Sequence, residues 1–198
     1  MKRYFSIVVP LLVLLLQGCT MEADDWEASA DKNTGGAVSY KTMADTLHTV
    51  LEIDRTVYTK LIINRLAVEE KVIKASEQWE EDKALVLPAQ MFRASAEMLL
   101  DREDANFSFA LISLWPINHQ NRPRTEGEKI GLKFIEDNPG QNYYGEEILG
   151  GTRYFTALYP DVAIAKACAS CHNEHKDSPR TDFKVGDVMG GVIIRIPM

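Results

Sequence analysis

Cysteine is scarce, three in 198 residues, which excludes a fold stapled by several disulfides. Positive charge is short as well, with 22 Lys and Arg against 29 Asp and Glu and a formal net charge of −7. That balance leaves no electrostatic footprint for nucleic acid, nor for adhesion to anionic lipid. Long apolar runs are also lacking. The longest, residues 7–16, is about half of the roughly 20 residues that a bilayer-spanning helix needs. Repeats and low-complexity tracts are absent, so a solenoid or a fibrous array is excluded.

The short apolar run acquires meaning from its neighbours. It follows the basic start Met1-Lys2-Arg3 and ends in Leu16-Gln17-Gly18-Cys19. A basic start and an apolar centre of this length make a secretory signal. A cysteine after a small residue at its end resembles the lipobox of bacterial lipoproteins. The expectation is a lipoprotein signal peptide over residues 1–18, with Cys19 acylated after cleavage as the membrane anchor. Cleavage removes Lys2 and Arg3 and no acid, so the mature charge is −9. Thr20, not Asp, follows the Cys. A periplasm-facing protein on the outer membrane is therefore expected where the host has two membranes. Residues 19–37 are polar, acidic and small, and read as a flexible tether. Residues 38–198 are then one domain, long enough for a sizeable core.

Within that domain Tyr40, Met43, Leu47, Val50, Leu51, Val57, Tyr58, Leu61 and Ile62 recur at three- and four-residue steps, which predicts a long helix. It is expected to run on through the charged residues 69–83 until Leu85-Val86-Leu87-Pro88 breaks it. Pro88 suits the first turn of a second helix, with Met91, Phe92, Ser95, Met98 and Leu99 as its buried stripe. Residues 106–115 read as a strand and 116–123 as a loop. Thr125-Glu126-Gly127-Glu128 has capping-box spacing, so a short helix should follow and stop at Asn138-Pro139-Gly140. Residues 152–159, 162–166 and 188–196 read as strands. Helices first and an antiparallel sheet after them make an α+β fold.

The chemistry is concentrated in Cys168-Ala169-Ser170-Cys171-His172. C-x-x-C-H is the attachment signature of c-type haem. Two thiols add across the two vinyl groups, and the histidine that follows becomes the proximal iron ligand. Three other readings compete. A thioredoxin-like pair wants a βαβ context near the start of its domain, and this pair is near the end. A zinc site from Cys168, Cys171, His172 and His175 would crowd four ligands into eight residues, tighter than the usual two separated halves. A plain disulfide is the third. In an oxidising compartment the haem reading accounts for both sulfurs and the histidine together, and one motif means one haem.

Beyond the motif, residues 79–198 carry Leu87-Pro88-Ala89-Gln90-Met91, Ser113-Leu114-Trp115-Pro116-Ile117-Asn118 with Asn121 and Pro123, Gly151-Thr152-Arg153-Tyr154-Phe155, and Phe183-Lys184-Val185-Gly186-Asp187 ahead of Gly190-Gly191. In this order they resemble the bacterial c-type haem-binding domain family with a PAS-like fold, found as sensor-kinase input domains and as stand-alone proteins. The resemblance implies N-terminal helices packed on a PAS-like antiparallel sheet, haem against those helices, and a sensing or redox role. Some members place a Cys just before the Pro-x-x-Met element, where this chain has Leu85, Val86 and Leu87. The ligand opposite His172 therefore stays open between His48, Met91, His119, His175 and an empty position. His48 is the first candidate, because it lies on the helices that cover the haem in the family. Arg153 and Tyr154 are candidates for contacts to the haem edge or propionates.

The expectation from all of this is a non-enzymatic haem protein that senses redox state or a small gaseous ligand. No transmitter module follows the last strand, so a separate partner would receive the signal. A mono-haem electron carrier serving a redox partner is the alternative. A peroxidase would need acid–base groups over the iron, and no such pair is marked.

Overall fold

The structure, a computed structural model, describes residues 37–198. The signal peptide, Cys19 and all but the last residue of the tether lie outside the described residues. Ser39 starts the first helix, its hydroxyl accepting from Thr42 N at 3.0 Å. This helix, α1, spans Tyr40–Val57 and continues as a wider π-type helix over Tyr58–Glu69. It does not run on to residue 83. The apolar steps end, and without a face to bury nothing rewards further helical turns. Lys71 takes a φ of 55°, and residues 70–87 hook back on themselves through Leu85 N to Lys74 O at 2.9 Å and Ser76 N to Leu85 O at 3.1 Å.

Helix α2, Pro88–Leu100, opens on its proline as expected, with Gln90 reaching back to Leu87 N. Its buried stripe is narrower than the sequence suggests. Phe92 and Ala96 are buried, whereas Ser95 faces solvent and Met98 is 72 % exposed. Strand β1 is confined to Ser108–Ile112. It stops because the Ser113 hydroxyl donates to Met189 O at 2.6 Å and accepts from Trp115 N at 2.9 Å, turning the chain away. Helix α3, Glu126–Asp137, has its capping box formed, Glu128 N to Thr125 Oγ1 at 3.1 Å and Thr125 N to Glu128 Oε2 at 3.2 Å.

Strand β2, Tyr143–Leu149, is absent from the sequence reading. Its signal was Gly150-Gly151, which take φ values of 57° and 84°. Two positive φ values in a two-residue turn are what a tight hairpin requires. The hairpin leads into β3, Thr152–Val162, one strand of 11 residues where two short ones were expected. Residues 163–166 leave the sheet, and Lys166 begins helix α4, Lys166–Glu174. Strand β4, Val188–Pro197, closes the sheet in the order β1-β4-β3-β2, every pair antiparallel.

Helices cover both faces of this sheet. Phe155, Ala157, Tyr159, Val192 and Ile194 pack under α1 and α2, and Leu158 and Ile193 pack with Leu132 and Ile135 of α3. Two-sided cover explains why Phe155 to Tyr159 are buried without alternation. Gly191 permits the close approach of α3, since a Cβ there would lie 2.6 Å from Leu158 Cδ2 and 2.9 Å from Ile135 Cδ1. A buried charge cluster fastens the same face. Arg195 bonds Glu128 and Glu147, each at 2.6 Å. Burial works to raise the Glu147 carboxyl, but the Arg195 bond and charge outweigh it and hold it below its ordinary value.

Candidate functional site

Cys168, Cys171 and His172 lie at i, i+3 and i+4 on α4, the spacing that brings side chains to one helix face. Both thiols are free. Between them, buried Ala169 seats on Ala163, Phe183 and Met189, with Trp115 and Cys168 packed against them. Asn173, next after the motif, pins this floor. Its Nδ2 donates to Phe183 O and its Oδ1 accepts from Phe183 N, both at 2.9 Å. The Phe183 ring stands perpendicular to His172 with centroids 5.9 Å apart, and Arg180 lies over both Phe183 and Trp115. The elements Ser113 to Trp115 and Phe183 to Asp187, distant in sequence, thus meet under one short helix.

Arg55 of α1 forms a two-pronged ion pair with Asp161 at the end of β3, with Nη2 to Oδ2 at 3.1 Å and Nη1 to Oδ1 as the second prong. The Arg55 side chain is 23 % exposed and that of Asp161 is 16 %. Burial opposes the Arg55 charge, yet Asp161 outweighs it and raises the pKa; the charge of Arg55 in turn works to lower the His172 pKa. Two buried side-chain atoms have no hydrogen-bond partner among the described residues, Arg55 Nε and His172 Nδ1. Each such orphan costs about 1–3 kcal/mol, a cost that an acceptor at the site would remove. Burial lowers the His172 pKa, against the opposing pull of Asp161. Neutral imidazole is the form that ligates metal.

The candidates for the opposing ligand separate clearly. His48 lies on the sheet-facing side of α1, its ring flat on Tyr159 at 3.9 Å and 10°. Burial lowers its pKa, while Glu52, Asp45 and Asp161 pull the other way. Tyr159 is held in turn by a bond from its hydroxyl to Asp45 at 2.7 Å. Asp161 therefore influences both His48 and His172. Met91 is half-buried in the first turn of α2, with the Ser95 hydroxyl 3.9 Å from its sulfur. His119 is exposed in a short 3-10 turn and lines an open cleft with Leu114, Arg122 and Asp177. His175 turns away to Glu77, Nε2 to Oε1 at 3.1 Å, while its Nδ1 accepts from Asp177 N.

Arg153 and Tyr154 sit at the start of β3, and α4 follows its end. An 11-residue strand at about 3.3 Å per residue separates those ends by roughly 30 Å. Arg153 is exposed there and pairs with Glu146, so the fold does not bring these two to the motif. The residues it does bring, Arg55, Asp161 and Asn173, carry no spacing signal. Only the position of Asn173 beside the motif pointed to it.

The rival readings of the motif find little support. Partial burial, then the charges of Glu77, Cys168 and Glu174, push the Cys171 thiol up, opposite to an activated redox thiol. Among the described residues no three His, Cys, Asp or Glu side chains gather as a metal ion would need. No helix of the described residues is long and apolar enough to cross a membrane.

Helices on both faces of a four-stranded antiparallel sheet, with two thiols and an imidazole on one short helix after its third strand, define a PAS-like α+β domain. Residues 37–197 match the model of the Tll0287-like family, described as Tll0287, and the chain belongs to that family. A crystal structure of the cyanobacterial heme-protein Tll0287 shares the fold, with a TM-score of 0.52 at 13 % identity, over 81 % of this chain and 98 % of that one. Comparison with curated proteins returns no match.

Proposed function

We propose that this protein is an extracytoplasmic, lipid-anchored haem-binding module holding one c-type haem. Cys168 and Cys171 would carry the thioethers and His172 the iron. The observation that carries this reading is the placement of these three side chains on one face of α4, with His172 Nδ1 buried and without a hydrogen-bond partner. The structural relative is named a heme-protein, which supports the same group here. Bound haem supplies reversible one-electron chemistry and an iron coordination position. The chain's own part is to fix the imidazole against Phe183, hold the floor through Asn173, and set a buried charge pair nearby. We read the role as sensing of redox state or of a small ligand, without catalysis.

Absorption spectra of the haem-loaded protein, oxidised, reduced, and reduced with CO, test this. A c-type spectrum that responds to CO fits a sensor; a closed six-coordinate spectrum indifferent to CO moves the reading to an electron carrier. His48, on α1, is our candidate for the opposing ligand. His48→Ala should convert a low-spin spectrum to high-spin and speed CO binding; an unchanged spectrum removes His48 and leaves Met91 and His119 to be tested. Acylation of Cys19 is proposed from the end of the apolar run. The intact mass of membrane-extracted protein should carry lipid there, and Cys19→Ser should release soluble protein.

A further inference from the structure

We propose that Arg55 is a ligand-binding residue of this site and that the species it takes is a small free anion. The inference rests on the haem reading above and names its ligand class. A guanidinium offers five donors. Asp161 takes one from each terminal nitrogen, and Nε remains buried with no acceptor. The two-pronged pair fixes the guanidinium plane, so the unpartnered Nε donor has a set direction.

The surroundings supply no internal acceptor. The Tyr58 hydroxyl donates to Val86 O, Thr59 to Arg55 O, and the Phe92 ring lies 5.9 Å from the guanidinium carbon. Asp161 stands two residues before Ala163, which packs in one cluster with Ala169 and Cys168 of α4. The charge pair therefore belongs to the neighbourhood of the motif. A diatomic without charge cannot match a desolvated cationic donor as an anion does. The carboxylates of haem are the other anionic source. In the porphyrin they stand at the edge opposite the vinyl groups, and Asp161, the partner of Arg55, leads through Ala163 to Cys168, which would take a vinyl.

The test uses the full haem-loaded chain, as wild type, Arg55→Gln and Arg55→Lys, at constant ionic strength. Sodium azide is titrated against the ferric form and CO against the ferrous form. Haem content is measured in all three. We expect Arg55→Gln to weaken azide binding about tenfold or more and to change CO affinity less than about threefold. Arg55→Lys keeps the charge and the partner Asp161 but lacks the fixed Nε donor, so it should also weaken azide and shift its infrared stretch. Wild type that ignores azide, variants that bind it unchanged, or variants that lose azide and CO alike each overturn the proposal. Loss of haem from Arg55→Gln would assign Arg55 to the haem carboxylates and overturn it too. Full haem content with any of the first three outcomes leaves the haem reading standing, whereas a haem-free wild type fails that reading.

Discussion

Changing Cys168 and Cys171 together to alanine should leave no haem on the chain after denaturing electrophoresis. Each single change should leave a weaker band, since one thioether still forms. Staining for haem peroxidase activity in the gel reads the result. The expectation follows from two free thiols three residues apart on α4. Their separation by one helical turn puts both on the side that carries His172. His172→Ala should behave differently, keeping the covalent band and losing the wild-type spectrum. A wild-type chain without covalent haem, made alongside a cytochrome c maturation system, would refute the assignment. The structural readout is independent of that outcome. Ala169 keeps its seat with Phe183 and Met189, but Cys168 also packs there, so the double variant should unfold a little below the wild-type temperature.

The second large effect lies on the face of the sheet that α3 covers. Arg195→Leu should destabilise the fold by about 3–5 kcal/mol, the cost of stranding buried charge. For a domain of this size that lowers the melting temperature by roughly 10 °C or more. Arg195, Glu128 and Glu147 have side chains only 14 %, 6 % and 11 % exposed, so water cannot replace the lost partner. The carboxylates keep only weaker donors, with Thr125 and Thr156 hydroxyls at 3.0 Å from Glu147. The pH dependence has a definite sign. Glu147 is held below its ordinary value, so its contribution is present above the unfolded carboxylate pKa. It is lost as pH falls through the lower folded value. Arg195→Leu should flatten that acid loss, because stranded carboxylates gain by taking protons. Urea unfolding near neutrality and under mildly acidic conditions reads both effects. A variant as stable as wild type would show that the cluster contributes nothing to holding α3.

Several features were legible in the chain because they depend on near neighbours. The capping box at Thr125 and Glu128 closes within one turn. Pro88 opens α2, whereas the hairpin at Gly150-Gly151 and its first strand went unread. That strand holds Gly145, Glu146 and Glu147, a polar stretch that period-two patterning cannot reveal. It is a strand because β3 pairs with it and Arg195 neutralises Glu147. The continuous burial of Phe155 to Tyr159 likewise depends on helices above and below.

Site residues divide in the same way. Cys168, Cys171 and His172 are a local motif, and helical spacing alone sets their common face. Arg55 and Asp161 are 106 residues apart, and no pattern in either segment announces the other. Arg153 lies near the motif in sequence but at the far end of an extended strand, because 11 residues of β structure carry the chain across the whole sheet. By itself the sequence determined the Cys-x-x-Cys-His spacing, the helix caps and the α+β class, all set by hydrogen bonds and side-chain faces a few residues apart. Only the tertiary structure decided where the first helix ends, which charges are buried as partners, and which side chains stand near His172. Those depend on desolvation and on contacts between segments that meet only when the sheet is covered on both faces.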